Sequence, residues 1–254
     1  MAKEEKSLNE RLAGLSPDQL KTLLRKGRNE SAPRPGRPPK MERNPLAIYP
    51  LSKAQERMWF LHNLTEGEAI YNNPVALRIS AAFPLNIELL VQSLGILIER
   101  HEILRTTFHV MEGKPVQQVH PSGKPEIHYE DLRYLPLNER ETRAMKEALQ
   151  HGKTAIPLDM LPLLRFKVLH LRDLEYMLLI NPHHIISDGW SNALFAKELS
   201  MTYAALESKE PSPFQVPEYQ YIDFVKWEKE WMSSNACKEQ LEFWKGQLSD
   251  IPEP

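Results

Sequence analysis

The residues whose chemistry stands out lie in one short stretch. Asn181-Pro182-His183-His184-Ile185-Ile186-Ser187-Asp188-Gly189-Trp190 carries the pattern His-His-x-x-x-Asp-Gly, at the end of an apolar run and the start of an amphipathic one. On average residue frequencies that pattern arises by chance in roughly one chain in several thousand of this length. Histidine titrates near neutral pH, so an imidazole here can take up or release a proton. His184 is the catalytic candidate, with Nε2 free to receive a proton from an incoming nucleophile. Strand alternation directs His183 to the opposite face, where a packed, hydrogen-bonded histidine is the commoner outcome. Asp188 accepts hydrogen bonds and needs a cation if buried. Gly189 permits a positive φ or a close backbone approach, and its N–H at a helix start can face a developing oxyanion. Taken alone, these residues allow an acid–base site, a metal site or a packed turn. The metal reading is the weakest, because adjacent strand histidines diverge and no third ligand lies nearby in sequence.

A second cluster is Arg100-His101-Glu102-Ile103-Leu104-Arg105-Thr106-Thr107-Phe108, at a helix-to-strand junction. One reading is a solvated charge run. The other is a buried arginine that pairs with Asp188 across the fold and holds the histidine loop in shape.

Helices and strands must bring these clusters together. Ser52-Lys53-Ala54-Gln55 has the capping-box pattern and opens a helix with Trp59, Phe60 and Leu61. Residues 75–79 alternate as a strand. Leu89, Leu90, Leu94, Leu97 and Ile98 mark a helix face. Strands are expected over 104–110 and 116–120, joined by a turn at Glu112-Gly113-Lys114-Pro115, and again over 164–171 and 175–180 around Arg172-Asp173. Helices are expected over 139–151, 190–206, 219–231 and 238–248. The fold class this implies is α+β, a mixed sheet with helices packed on its faces.

Ahead of that part, residues 7–28 read as a short helical unit opened by Ser16-Pro17-Asp18-Gln19. Residues 31–40 read as a Pro/Arg-rich linker. Its Gly-Arg-Pro core is similar to the AT-hook, but one short basic motif is weak evidence, and a tether is the reading preferred. The pattern alone therefore gives 1–30 as a helical segment, 31–44 as a linker and a globular part from 45 onward.

Composition narrows the setting. The chain has 254 residues, 41% of them hydrophobic, with a net charge of −2. That balance gives no general pull toward nucleic acid or an anionic membrane, and neither is expected as a partner. The single cysteine, Cys237, excludes an internal disulfide framework. No run approaches the roughly 18 apolar residues of a membrane span, and a cytoplasmic setting is expected.

Four blocks, in order, resemble the condensation domains of nonribosomal peptide synthetases. They are Leu51-Ser52-Lys53-Ala54-Gln55-Glu56-Arg57-Met58-Trp59-Phe60-Leu61 followed by Tyr71-Asn72-Asn73-Pro74; the segment Arg100 to Phe108; the segment His183 to Gly189; and Tyr221-Ile222-Asp223-Phe224-Val225-Lys226-Trp227 followed by Phe243-Trp244. The resemblance covers residues 45–254. It gives a docking role for 1–30, a first lobe over 45–217 and the start of a second over 218–254. It implies a lobe similar to chloramphenicol acetyltransferase and an acyl transfer that forms an amide. The donor acyl thioester and the acceptor aminoacyl thioester would both ride on phosphopantetheine arms. It implies His184 as the catalytic residue, with His183, Asp188, Gly189, Arg100 and Arg105 as motif residues. Asp188 and Arg100 would pair, Arg105 being the less favoured mate. No cofactor or metal would be bound directly. Partners would be donor and acceptor carrier domains, the second condensation lobe and an adenylation domain. The wording His-His-Ile-Ile-Ser-Asp-Gly is closest to versions that use a donor bearing an L-residue or a polyketide acyl chain.

The departure is the missing half. The family's catalytic domain is a pseudo-dimer of two lobes, and later motifs are absent here. The expectation is an N-terminal piece of a longer synthetase, without full activity alone. Two competing readings are a trimeric CoA-dependent acyltransferase and a non-catalytic docking module. In the trimeric enzymes the histidine motif lies near the C-terminus, whereas here it is followed by a further condensation-type block.

Overall fold

The apolar runs of this chain are of two kinds, and each makes a different strand. Residues 75–80 alternate between half-buried and exposed, as an edge strand does, whereas 164–172 and 175–182 are buried almost throughout. Strands buried on both faces read as continuous apolar runs because both faces are covered. In a computed structural model that describes residues 38–44, 47–65 and 67–249, these runs form one sheet. The helix expected over 7–28 and residues 31–37 of the linker lie outside the described residues.

The sheet has the order β2 (Val75–Ser80), β7 (Glu175–Pro182), β6 (Leu164–Arg172), β5 (Ile127–Asp131). β7 is antiparallel to both of its neighbours, while β5 runs parallel to β6, so the sheet is mixed. A second, antiparallel sheet has the order β1 (Ile48–Pro50), β4 (Lys114–Val119), β3 (Thr106–Met111). The β3–β4 turn is tighter than the four residues expected. Glu112 and Gly113 both take positive φ, 50° and 75°. That is the two-residue hairpin turn whose twist matches its strands, and Lys114 and Pro115 continue into β4.

Helices cover both faces of the mixed sheet. α1 (Lys53–Leu64) starts at the expected capping box, with Ser52 and Gln55 bonding reciprocally. α2 (Ile87–Arg100) is capped by Asn86 and buries Leu90, Leu94, Leu97 and Ile98. α3 (Leu137–Gly152) and α4 (Gly189–Glu207) complete the layers. Alternation along β7 sorts the core. Leu178 and Ile180 join Leu94 and Leu97 of α2 and Leu199 of α4. Met177 and Leu179 face the other way and join Ala144 of α3. Each fully buried large apolar side chain contributes about 1.5–3 kcal/mol, so both faces are firmly closed. The end of β7 is thereby held at the rim, where Pro182 pairs with Leu164 of β6.

α5 (Tyr221–Met232) begins two residues later than expected, because the Gln220 N–H turns back to the Asp223 carboxylate, 2.8 Å away. α6 (Asn235–Gln247) begins earlier than expected, because Ser234 caps it by accepting from Cys237 N at 3.2 Å. Residues 39–226 form one compact unit, and 227–249 belong to another in which Trp227 stacks on Trp231 at 6.1 Å. Among the described residues, no helix is long and apolar enough to cross a membrane.

Candidate active site

Past Pro182 the chain leaves the sheet and is caught from both sides. His183 N donates to Leu163 O at 3.0 Å, and His184 N donates to Tyr71 O at 2.8 Å. Asn73 N reaches back to Pro182 O at 2.8 Å. The Tyr71-Asn72-Asn73-Pro74 block is therefore a backbone clamp on the motif. Its own position is set by Asn72, whose side chain donates to Gly152 O and Thr154 O, both at 2.8 Å. Asn181 ties β7 to the same helix end, donating to His151 O at 2.7 Å.

The loop then folds on itself. Ile186 N donates to His183 O at 3.1 Å, and Ile185 N donates to His183 Nδ1 at 3.1 Å. Ile185 and Ile186 are buried in the core and pin the turn from below. His184 is lifted to the exposed side, where its Nδ1 lies 2.6 Å from Ser187 O. A carbonyl can only accept, so Nδ1 carries a proton, and in the neutral form of the ring the Nε2 lone pair is then free. The ring lines a cavity of about 290 Å³ whose other lining residues include the polar Gln55, Arg57 and Tyr221 and the apolar Met58, Ile103 and Ile186.

His183 faces the opposite way, as alternation requires, and is 1% exposed. Its Nε2 lies 3.1 Å from Nδ1 of His62, a partner that sequence reasoning missed. The two rings meet edge-on with centroids 5.0 Å apart. Burial, with the His62 and His184 imidazoles beside it, pushes the His183 pKa down to about 3. Burial also lowers that of His62. The signal that could have found His62 is its spacing of seven from Gln55, which places two buried polar residues on one face of α1.

The expected pair between Arg100 and Asp188 is not formed. Asp188 is exposed and caps α4, accepting from Ser191 N at 2.7 Å and Ser191 Oγ at 2.6 Å. Those two bonds, side chain first, hold its carboxyl below the usual range. At a helix start the free N–H groups are the nearest donors, so the carboxylate needs no arginine. Arg100 instead turns to Glu198, which is 5% exposed, with Nε–Oε2 at 3.2 Å. His101 Nε2 shares the same oxygen at 2.6 Å. Arg100 also donates to Gln215 O, and its guanidinium lies 4.9 Å from the centre of the Phe214 ring. Arg105 donates to His120 O and, among the described residues, pairs with no carboxylate. The arginine cluster thus joins α2 to α4 and to the segment before α5. Gly189 is the first residue of α4, outside the left-handed region, with open space where a Cβ would stand. Neither a positive φ nor a close approach is what this glycine supplies.

The last block meets the first through hydroxyls and charge. Tyr221 Oη and Ser52 Oγ are 2.9 Å apart. Asp223, fully buried, accepts from Arg43 Nη1 at 2.9 Å and Nη2 at 2.6 Å, and from Met41 N and Gln220 N, both at 2.8 Å. Arg43 Nε reaches Glu102 Oε1 at 2.8 Å. Burial alone would raise the Asp223 carboxyl, but the Arg43 fork and the two backbone donors hold it below its ordinary value.

Comparison with known proteins finds a family and a fold that this chain shares. Residues 46–253 match the family model described as Condensation domain. The chain is 38% identical over 199 residues to a linear gramicidin synthase of Brevibacillus parabrevis, covering 78% of this chain and 2% of that protein. It is 34% identical over 247 residues to phosphinothricin tripeptide synthetase PhsC of Streptomyces viridochromogenes, covering 96% of this chain and 22% of that protein. Two solved structures share the fold. The starter condensation domain of rhizomide synthetase has a TM-score of 0.73 at 19% identity, covering 82% of this chain and 49% of that one. The first condensation domain of the calcium-dependent antibiotic synthetase has a TM-score of 0.71 at 24% identity, with the same two coverages, 82% and 49%. The chain thus spans about half the length of these solved domains and a small part of the two synthetases.

Proposed function

The chain belongs to the condensation-domain family, and on that premise we propose that it supplies the histidine-bearing half of a site that forms amide bonds between carrier-bound substrates. The acceptor amine attacks the carbonyl carbon of the donor thioester, a C–N bond forms, and the C–S bond breaks. The amine proton passes to His184 Nε2 and leaves with the thiolate sulfur as a thiol. The observation that carries this reading is the His184 ring itself. Its Nδ1–H is committed to the Ser187 carbonyl, and the ring lines an open cavity. A neutral imidazole fixed in this tautomer is ready to act as a base.

Substrates arriving on phosphopantetheine arms, carried by donor and acceptor carrier domains, belong to the same proposal, as does an adenylation domain that loads them. So does a second lobe that closes the cavity, since this chain covers half of the solved domains. The proposed setting is the cytoplasm. Holding both arms in register would supply much of the rate through proximity. The Arg43, Arg100, Glu198 and Asp223 groups are assigned to shape, with no direct part in the chemistry.

The test is amide formation in the protein that joins this chain to the rest of its condensation fold, with loaded donor and acceptor carriers and product read by mass spectrometry. His184→Ala is expected to lower the rate by roughly 10²–10⁴-fold, the usual worth of a positioned acid–base group, with an unchanged circular dichroism spectrum. A variant that condenses at nearly the wild-type rate would remove His184 from the chemistry.

A further inference from the structure

The imidazole of His62 has a place in the hydrogen bonding of the active-site loop, and that place follows from a backbone group. Ile185 N–H can only donate, so His183 Nδ1 is its acceptor, at 3.1 Å. A neutral His183 then carries its proton on Nε2. That proton lies between Nε2 and His62 Nδ1, 3.1 Å apart, so His62 accepts and keeps its own proton on Nε2. One backbone N–H thus sets the tautomers of two buried rings. Burial lowers the proton affinity of both rings, which favours their neutral forms.

His62 is itself held by the end of α1. Thr65 Oγ1 donates to His62 O at 3.2 Å, and Gly67 N donates to the same oxygen at 2.9 Å. Gly67 has a φ of +76° and packs beside the ring, an added Cβ standing 3.4 Å from His62 Nε2. These bonds set the backbone from which the His62 ring projects toward His183. Without an acceptor at this point, His183 Nε2–H would be a buried donor with no partner. The ring would then turn to find one and release Ile185 N.

We propose that His62 is a positioning residue for amide formation: its Nδ1 accepts the Nε2–H of His183, locks that ring in the tautomer that receives Ile185 N–H, and so fixes the turn that presents His184. The proposal rests on His184 as the acid–base group. It adds that the first histidine of the motif needs a mate from α1, and that this mate is His62.

Two substitutions test it in the protein that joins this chain to the rest of its condensation fold. His62→Leu removes the acceptor. His62→Asn keeps one, because the asparagine Oδ1 occupies nearly the position of the histidine Nδ1. The readouts are kcat and KM for condensation, and imidazole ¹⁵N chemical shifts, which report the His183 tautomer whether or not product forms. His62→Leu is expected to lower kcat roughly 10–100-fold with KM within about two-fold, as for a misplaced reacting group, and to abolish the single Nε2–H form of His183. His62→Asn is expected to restore that form and bring kcat back to within about three-fold of wild type, since the acceptor is present again. If His62→Leu leaves the His183 tautomer or kcat unchanged, the proposal is overturned. If His62→Leu does not fold, His62→Asn decides: a folded variant with His183 in the Nε2–H form and kcat well below a tenth of wild type also overturns it. If His184→Ala proves as active as wild type, the role of His184 falls, and the His183 tautomer in His62→Leu still decides whether His62 sets the loop.

Discussion

The loop that carries His184 and the brace around Asp223 are both polar constructions set into the core, but they are made of different things. Inside the loop the partners are neutral: two imidazoles, a serine hydroxyl and backbone amides. Its one formal charge, on Asp188, is exposed and spent on a helix cap. The brace is ionic. Asp223 is fully buried under the Arg43 fork, and Glu102 takes the third edge of the same guanidinium. Among the described residues, the buried bonds of the loop thus contain no ion pair. An ionic network can instead latch distant parts of the chain, because buried charges tolerate no substitute partner. Here it latches residues 41–43 onto the start of α5, about 180 positions away in sequence.

The largest effect should come from breaking the brace. Asp223→Ala takes away the acceptor of the Arg43 Nη1 and Nη2 groups, leaving that guanidinium only Glu102 and the Met41 carbonyl, and leaves Met41 N and Gln220 N without their acceptor. The expected cost is about 3 kcal/mol, the low end for removing one partner of a buried pair, since Arg43 is about one-third exposed. Urea denaturation reads this as a lower midpoint at an unchanged slope. The imidazole spectrum of His183 should stay as in wild type, because among the described residues no hydrogen bond or ion pair joins the loop to the brace. A cost under about 1 kcal/mol would place Asp223 among surface-grade ion pairs and erase the distinction between the two clusters.

Acid separates the clusters by pH. A histidine in the unfolded chain titrates near 6.5, while His183 in the fold titrates at about 3. Between those values the unfolded chain holds more protons, so stability is complete above pH 6.5 and falls as pH drops toward 3. From pH 7 to pH 5 the loss from this one residue should be about 2 kcal/mol. Asp223 is lowered in the fold, so its contribution is present above the unfolded value near 3.9 and disappears only as pH falls through its folded value. His62, His120 and His151, also lowered chiefly by burial, add a slope of the same sign as His183. The measurement is therefore a difference: denaturation midpoints at pH 7 and 5 for wild type and for His183→Asn. The variant should lose most of the His183 share of the slope, and equal slopes would mean that the ring is not held neutral.

What could be read in the sequence follows the same division. The long apolar runs of β6 and β7, the stripe of α2 and the capping box at Ser52 are local patterns, and they fold as read. The opposed faces of His183 and His184 follow from alternation alone. β1 and β5 escaped because one has three residues and the other, Ile-His-Tyr-Glu-Asp, is a half-exposed edge strand with only two apolar positions, too short an alternation to mark a strand. The partner of Arg100 escaped for a different reason. Choosing between Asp188 and Glu198 requires knowing which acid is buried, and that is a property of packing. A clue was present: Glu198 lies on the buried stripe of α4 beside Leu199 and Thr202, where an acid must have a cation. Asp188 stands where a cap belongs, and a cap satisfies a carboxylate locally.

The smallest effect concerns that cap, and it sharpens the comparison because Asp188 is the one charged member of the loop. If the charge matters, Asp188→Asn should cost as much as Asp188→Ala. If only the acceptor matters, asparagine should serve, since the two are near-equal caps and only the Ser191 N and Oγ bonds are at stake. The neutral-loop picture requires the second outcome. Asp188→Ala should cost about 1 kcal/mol and Asp188→Asn under about 0.5 kcal/mol by urea denaturation, as for other exposed caps. Because its carboxyl lies below the usual range, the cap's contribution is whole above the unfolded value near 3.9 and is lost only as pH falls through the lower folded one. In the asparagine variant that acid-dependent loss should vanish while the stability at pH 7 stays. An asparagine variant as unstable as the alanine one would mean that the carboxylate charge is needed in the loop, and the contrast with the ionic brace would have to be abandoned.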